Sequence, residues 1–163
     1  MATWREVSAA TPGLADTVRA RFDAHRHKTM ATLREDGSPR ISGTEATFVG
    51  DDLWLGAMPG SRKAADLLRD PRLALHSSTV DETMAEGDAK VSGRAVSVDD
   101  PAAAEALVRA QQPDADDPVS PGPFHLFRAD VTEVSLVRIG DPPDHLVIES
   151  WTEARGYRRL ERR

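Results

Sequence analysis

The feature that most constrains the fold is a series of short strand-like runs separated by turn residues. Residues 29–33 and 40–49 have the composition of strands, and the Asp36-Gly37 dipeptide between them favours a tight hairpin turn. A second turn at Gly50-Asp51-Asp52 separates this second run from residues 53–57. The chain therefore predicts three consecutive antiparallel strands.

The rest of the chain continues this pattern, with helices between some of the strands. Ser61–Arg69 is predicted to be a short helix, and Asp100-Pro101 is typical of the start of another that runs to about Gln111. An amphipathic helix is predicted at about 12–27, and residues 112–123, rich in Pro, Asp, Gly and Ser, are expected to form a flexible surface loop. Further strands are predicted at 72–77, 89–98, 124–139, 145–151 and 156–160.

Six or more short antiparallel strands with a few short helices predict a mainly β protein, a β-barrel with helical additions. The length of 163 residues suits a single domain, so we expect one domain over residues 1–163.

Composition excludes several classes of function. The formal net charge of −6 argues against a nucleic-acid binder or an anionic-membrane binder, because both depend on a basic surface. The absence of cysteine excludes disulfides, thiolate metal sites and cysteine nucleophiles. No signal peptide is apparent, and no apolar run approaches the roughly 20 residues that cross a bilayer. We therefore expect a cytoplasmic protein.

The sharpest local motif is Gly60-Ser61-Arg62-Lys63-Ala64, at a predicted strand-to-helix junction. Free backbone N–H groups and the helix dipole make such a junction suitable for a phosphate, and a hydroxyl with two cations would complete the site. The alternative is an ordinary helix start, with Ser61 as its N-cap and two surface cations.

A second motif lies near the C-terminus, where Trp151 is followed by Arg155, Arg158, Arg159, Arg162 and Arg163. An indole beside arginines can pack against a ring and bind an anion. A core tryptophan followed by a charged tail is the competing interpretation. The five histidines have no metal-binding spacing, so no metal site is expected.

Several stretches, taken in chain order, resemble one known family. They are the Gly60–Ala64 motif, Asp70-Pro71-Arg72, Ile148-Glu149-Ser150-Trp151, and the predicted first hairpin with Met30-Ala31-Thr32-Leu33-Arg34 and Asp36-Gly37-Ser38-Pro39-Arg40. Over roughly residues 20–163 they resemble the pyridoxamine 5'-phosphate oxidase-like, FMN-binding split-barrel superfamily. The resemblance implies a Greek-key split β-barrel, FMN as cofactor and a homodimer whose subunits share each site.

The resemblance also implies which residues would contact the flavin. Arg40 would reach the phosphate, and the following strand residues, among them Ile41, Ser42 and Glu45, would line the cofactor. Ser61, Arg62 and Lys63 would hold the phosphate. The remaining implied contacts are the backbone of Gly56 and Ala57, Asp88 near the ring, and Trp151 with Arg158 or Arg162 from the C-terminal hairpin.

The chain departs from the vitamin-salvage oxidases of that family in its substrate residues. The helix at 102–111 lacks the Tyr and Ser that hold a substrate phosphate, Glu45 replaces a lysine, and no Arg-x-His pair follows Trp151. These gaps leave an apolar mouth lined by Met58 and Phe124. The chain is more similar to actinobacterial relatives that use FMN or the deazaflavin coenzyme F420.

The predicted function is therefore hydride transfer between FMN, or alternatively coenzyme F420, and a small organic substrate other than pyridoxamine 5'-phosphate. A non-catalytic module that binds a flavin or another planar ligand on the same fold is the alternative. No catalytic acid or base is assigned.

Overall fold

The structure, a computed structural model, describes residues 1–79, 83–118 and 122–163. Within these ranges four helices and eight strands follow one another along the chain. In order they are α1 (Trp4–Ala10), α2 (Pro12–Asp23), β1 (His27–Leu33), β2 (Pro39–Val49), β3 (Asp52–Ala57), α3 (Arg62–Arg69), β4 (Arg72–His76), β5 (Asp88–Val98), α4 (Pro101–Gln111), β6 (His125–Ile139), β7 (Leu146–Thr152) and β8 (Gly156–Arg162).

The strands form one antiparallel sheet in the order β3-β2-β1-β4-β5-β6-β7-β8, and β3 also pairs with β6. This last pairing closes the first six strands into a barrel, and β7 and β8 extend from it as a hairpin. The connection from β3 to β4 passes two strands before it rejoins the sheet beside β1, which is a Greek-key arrangement. The predicted split β-barrel is confirmed.

Turn residues produce this topology where the sequence predicts turns. Gly37 and Gly50 have φ values of +80° and +58°, conformations that glycine adopts without a steric penalty. They lie in the two tight turns of the β1-β2-β3 meander. At the start of α4, the Asp100 side chain accepts a hydrogen bond from the Ala102 backbone at 2.9 Å, so the predicted helix start there is also confirmed.

The core is built from the inward-facing side of the strands. Met30, Leu75 and Val91 are neighbours across β1, β4 and β5, and each is at most 1% exposed. The two N-terminal helices cover part of the barrel: Trp4 packs against Phe48 with ring centroids 4.6 Å apart.

The N-terminal region differs from the prediction. The predicted helix at about 12–27 begins at Pro12 as expected, but it ends at Asp23, and β1 begins at His27. Helix α1, which was not predicted, precedes it. The short helix α1 is held by a capping box in which Thr3 and Glu6 bond to each other's backbone N–H groups. The predicted loop at 112–123 lies partly outside the described residues. Its described part, 112–118 and 122–123, contains no helix or strand.

The outer side of the barrel has an unusual composition across β2, β1 and β4. Ile41, Ala31 and Ala74 form one cross-strand row, and Gly43 and Thr29 belong to the next. Ile41 is 69% exposed. Small and apolar residues thus occupy a sheet face that would ordinarily be polar where it meets water. We refer to these five residues as the outer face.

In the described ranges, no helix is long and apolar enough to cross a membrane.

Candidate functional site

The start of α3 positions the Gly60–Ala64 motif. Gly60 has φ +73°, and the turn is held by a hydrogen bond from the Ser61 N–H to the Met58 carbonyl at 3.1 Å. The Ser61 hydroxyl accepts a hydrogen bond from the Ala64 N–H at 3.4 Å, so it is the N-cap of the helix. The ordinary N-cap interpretation therefore holds for the hydroxyl of Ser61.

The two cations of the motif point to different sides of this helix start. Consecutive helical residues are about 100° apart around the axis, so neighbours in sequence do not share a face. Lys63 Nζ donates to the Gly43 carbonyl on β2 at 2.8 Å, whereas Arg62 is exposed beside Arg40 and Arg69. They contribute to two separate concave surfaces.

The first surface, which we name the α4 cavity, has a volume of about 390 Å³ and lies between α4 and the outward-facing residues of β2 and β3. This volume is within the range of small-molecule sites. The residues that line it are Arg26, His27, Gly43, Thr44, Glu45, Gly56, Ala57, Met58, Lys63, Leu107, Val108, Gln111, Gln112 and Phe124.

Glycines create the space in the α4 cavity. A Cβ atom at Gly43 would meet nothing within 4 Å, and one at Gly56 would lie 3.6 Å from Phe124 and 3.9 Å from Leu107. Any larger side chain at Gly56 would occupy the gap beneath these two residues. The strand backbone is therefore open to a flat ligand at Gly43, whereas the space above Gly56 admits no more than a methyl group.

Charged groups are concentrated at one end of the α4 cavity. Glu45 lies 3.0 Å from Arg26 Nε, and Lys63 is close enough to Glu45 for a favourable electrostatic interaction. Burial lowers the pKa of Lys63, while the nearby Glu45 carboxylate acts in the opposite direction. The opposite end, formed by Met58, Leu107, Val108 and Phe124, is apolar.

The second surface, which we name the arginine cleft, lies between the β1-β2 hairpin and α3. It is lined by Arg34, Glu35, Asp36, Arg40, Arg62, Ala65, Asp66 and Arg69. Its organising residue is Asp66, whose side chain is 4% exposed. Asp66 Oδ2 accepts hydrogen bonds from Arg40 Nε at 2.6 Å and from the Thr32 hydroxyl at 2.8 Å.

These bonds determine the charge state of Asp66 and the orientation of Arg40. Burial by itself raises the pKa of Asp66, but hydrogen bonds from Arg40, Thr32 and Arg69 outweigh it and lower the pKa below its usual range. Because Arg40 Nε donates to Asp66, the Arg40 side chain is held against α3, where it lines the arginine cleft.

The structure brings together some of the residues predicted to contact a cofactor and separates others. Glu45, Gly56, Ala57 and Lys63 share the α4 cavity, whereas Arg40 and Arg62 share the arginine cleft. The half-buried Ser42 lies between Arg40 and Thr44 on β2 and lines neither surface, and Ile41 belongs to the outer face.

The remaining predicted residues lie elsewhere in the chain. Asp88 begins β5, and its nearest ionisable partner among the described residues is His76, with Nε2 3.9 Å from the carboxylate. Trp151 is 5% exposed and belongs to the core. Arg158 and Arg162 are exposed on β8. Within one chain these four residues do not line the α4 cavity.

Some cavity residues were not expected from the sequence. Arg26 reaches Glu45 because β1 and β2 pair in a register that places His27 opposite Glu45. Leu107, Val108 and Gln111 belong to the face of α4 that packs on β2, where Gln111 Nε2 donates to the Thr47 hydroxyl at 3.3 Å. The apolar face of α4 is a sequence signal for burial, but it does not reveal what the helix packs against. Met58 and Phe124, predicted at the mouth, do line the cavity.

Among the described side chains, no group of three His, Asp or Glu residues is arranged to hold a metal ion.

Comparison with known proteins gives the family. Residues 14–138 match the family model described as pyridoxamine 5'-phosphate oxidase. The chain belongs to this family. Among curated proteins, no sequence matches this one.

Solved structures share the fold of this family member at low sequence identity. A pyridoxamine 5'-phosphate oxidase-related, FMN-binding protein from Nostoc punctiforme is 16% identical with a TM-score of 0.65, over 94% of this chain and 96% of that one. PhzG from Burkholderia lata, solved with tetrahydrophenazine-1-carboxylic acid, is 13% identical with a TM-score of 0.61, over 96% and 91%. A heme-binding protein from Mycobacterium smegmatis is 18% identical with a TM-score of 0.58, over 93% and 88%.

The residues present fit the flavin that this family implies. A flat ring system needs accessible backbone, which the α4 cavity provides at Gly43. A phosphate needs cations and donors, which Lys63 provides in the α4 cavity and Arg40 and Arg62 provide in the arginine cleft.

Proposed function

We propose that this protein is an oxidoreductase that transfers a hydride between FMN and a small organic substrate. The observation that carries the proposal is the convergence of Glu45, Gly56, Ala57 and Lys63 in the α4 cavity, at the helix start that bears Arg62. The FMN-binding description of the Nostoc relative supports the choice of cofactor. Coenzyme F420, whose deazaflavin ring has the same outline, is the alternative.

Each part of the site has a proposed role. Lys63 binds the cofactor's phosphate from the α4 cavity by charge-assisted hydrogen bonds, and Arg40 and Arg62 attract it from the adjoining arginine cleft. The backbone of Gly43, Gly56 and Ala57 lies against the ring, and α4 with Phe124 excludes water from its reactive edge. Bound FMN supplies two-electron chemistry, in which a hydride is taken from a donor or given to an acceptor. Glu45 and Arg26 neutralise each other at the rim.

The first experiment is an absorption titration of the purified protein with FMN and, separately, with F420. We expect a shifted and structured flavin band on binding of one of them. Lys63→Ala should weaken that binding about ten- to a hundredfold, because each charge-assisted hydrogen bond contributes roughly 1.5–3 kcal/mol. Arg109→Ala is the matched control, since Arg109 is exposed on α4 and pairs with Glu105. Unchanged affinity of the Lys63 variant would contradict the phosphate assignment.

A non-catalytic ligand-binding module is the second candidate, favoured by the heme-binding description of the Mycobacterium smegmatis relative. Turnover separates the two. An oxidoreductase re-oxidises its reduced cofactor when an organic acceptor is added, whereas a binding module does not. Pyridoxamine 5'-phosphate should be a poor substrate in the same assay, because the cavity face of α4 presents Leu107 and Val108 rather than phosphate donors.

We further propose that the protein works as a single-domain homodimer in the cytoplasm. The outer face supports a dimer, because Ile41, Ala31 and Ala74 form an apolar row that a second copy would cover. In such an assembly, Asp88, Arg158 and Arg162 would contribute from the partner subunit's side or from the shared boundary, whereas Trp151, buried in the core, would only support β7.

A further inference from the structure

The α4 cavity carries an inference about the class of substrate, which rests on the proposed function. We infer that the substrate part of this cavity takes an uncharged, flat and largely apolar molecule.

The charges of the cavity wall support this inference. Glu45 pairs with Arg26 at 3.0 Å, and Lys63 donates to the Gly43 carbonyl at 2.8 Å. In the proposed function Lys63 also serves the cofactor. An anionic substrate would have to lose its hydration and compete with Glu45 for Arg26, and a cationic one would have to displace Arg26 from Glu45. Burial of a charge without a partner is strongly unfavourable, so both are disfavoured.

The shape of the cavity supports it as well. Phe124 and Leu107 lie 3.6 Å and 3.9 Å from the position that a Cβ of Gly56 would take, so they pack closely over β3 and form an apolar wall there. Val108 and Met58 continue this apolar wall, and Met58 is 72% exposed at the opening. An apolar wall with an aromatic ring suits a conjugated molecule, because apolar contact and stacking need no charge.

The experiment compares two ligands that differ in one charge, 1,4-naphthoquinone and 1,4-naphthoquinone-2-sulfonate. Binding of each is measured by isothermal titration calorimetry to the protein that holds the oxidised cofactor. We expect the neutral quinone to bind at least about tenfold more tightly, since a charged group that leaves water without gaining a partner weakens binding by about tenfold or more. Equal affinity, or tighter binding of the sulfonate, would overturn the inference.

Two variants place the ligand in this cavity. Phe124→Ala should weaken binding of the neutral quinone about tenfold. Met58→Lys adds a cation at the rim without disturbing the core and should strengthen sulfonate binding about fivefold. Leu68→Lys is the matched control, because Leu68 is also exposed, at 54%, but lies outside the cavity. An unchanged Phe124 variant, or equal effects of the two lysines, would overturn the inference.

The outcomes separate this inference from the proposed function. If neither FMN nor F420 binds, the proposed function is wrong. If one of them binds and the sulfonate is preferred, only the substrate class is wrong.

Discussion

At the scale of single residues, Asp66 connects three elements of the fold. It is the buried carboxylate of α3, and it joins the helix to β1 through Thr32 and to β2 through Arg40. A buried charge with three donors stabilises the fold only as long as all of its partners remain. The orientation of the Arg40 guanidinium therefore depends on a residue that would not itself touch a ligand.

We expect Asp66→Asn to lower the free energy of unfolding by about 2–4 kcal/mol, because the amide cannot accept all of these bonds and leaves Arg40 without its counter-charge. The pKa of Asp66 is lower in the folded protein than the value of about 3.9 in an unfolded chain. The stabilisation is therefore complete above that value and is lost as the pH falls through the folded pKa. Urea unfolding of the unmodified protein and of the variant, at pH 7 and at pH 2.5, measures the difference in their free energies of unfolding. This difference should be smaller at the lower pH.

The control for this prediction is Asp16→Asn. Asp16 is exposed on α2, and exposed substitutions usually change stability by less than about 0.5 kcal/mol. If Asp66→Asn lowered the free energy of unfolding no more than Asp16→Asn, the buried hydrogen bonds of Asp66 would not contribute to stability.

The residue scale also shows what sequence reasoning missed at the site. Arg62 and Lys63 are adjacent in a motif that suggests one phosphate site, yet they line different surfaces. Helical geometry alone predicts their divergence, but not what each would meet. That depends on which strands flank α3, and those strands come from distant parts of the sequence.

At the scale of elements, local signals predicted most of the strands and helices correctly. Asp36-Gly37 marks the first hairpin, and Asp100-Pro101 begins α4, because turns and caps depend on only a few neighbouring residues. Helix α1 was missed although Thr3 and Glu6 have capping-box spacing, since an isolated seven-residue helix is not stable on its own. It exists because Trp4 and Val7 are buried against the barrel.

The β5-β6 pair depends on a glycine that no local pattern identifies. The register of the two strands shifts between Ser92 and Gly93, and a Cβ at Gly93 would lie 2.1 Å from the Asp130 carbonyl oxygen. This close approach is backbone to backbone, so no side chain can move to relieve it.

We expect Gly93→Ala to lower the free energy of unfolding by about 2–3 kcal/mol, the cost of overpacking at a rigid position. Gly13→Ala is the matched control: nothing lies within 4 Å of its Cβ position, and alanine in helix α2 should be neutral or stabilising by up to about 1 kcal/mol. Thermal unfolding of both variants tests this. Similar melting temperatures for the two would contradict the role of the close contact.

At the scale of the whole molecule, the sequence predicts a β-barrel, but it does not predict which two strands pair to close it. Alternation of apolar residues predicts sheet faces, whereas the β3-β6 pairing joins residues 54–57 to 125–128. No periodicity in either segment identifies the other. The α4 cavity is unpredictable for the same reason, because its wall combines residues from β1, β2, β3, α3 and α4 with Phe124, which precedes β6.

The proposed dimer has a test at this scale. Ile41→Glu introduces a carboxylate into the apolar outer face, and in a two-fold dimer every substitution occurs twice in the interface. We expect light scattering at micromolar concentration to report twice 17.7 kDa for the unmodified protein and a mass near 17.7 kDa for the variant. Leu68→Glu is the control, because Leu68 is a similarly exposed residue on α3, outside the outer face, and its substitution should leave the dimer intact. A monomeric unmodified protein would contradict the proposal.

The closure of the barrel by β3 and β6 also bears on how fast the chain folds. The two partners are separated by about seventy residues, so the entropy of a long loop must be lost before their hydrogen bonds form. The β1-β2-β3 meander needs only short loops and can assemble early. Topologies dominated by such distant pairings fold in about milliseconds to seconds rather than microseconds. The enclosed barrel on which the α4 cavity rests is therefore expected to be among the last parts of the molecule to appear.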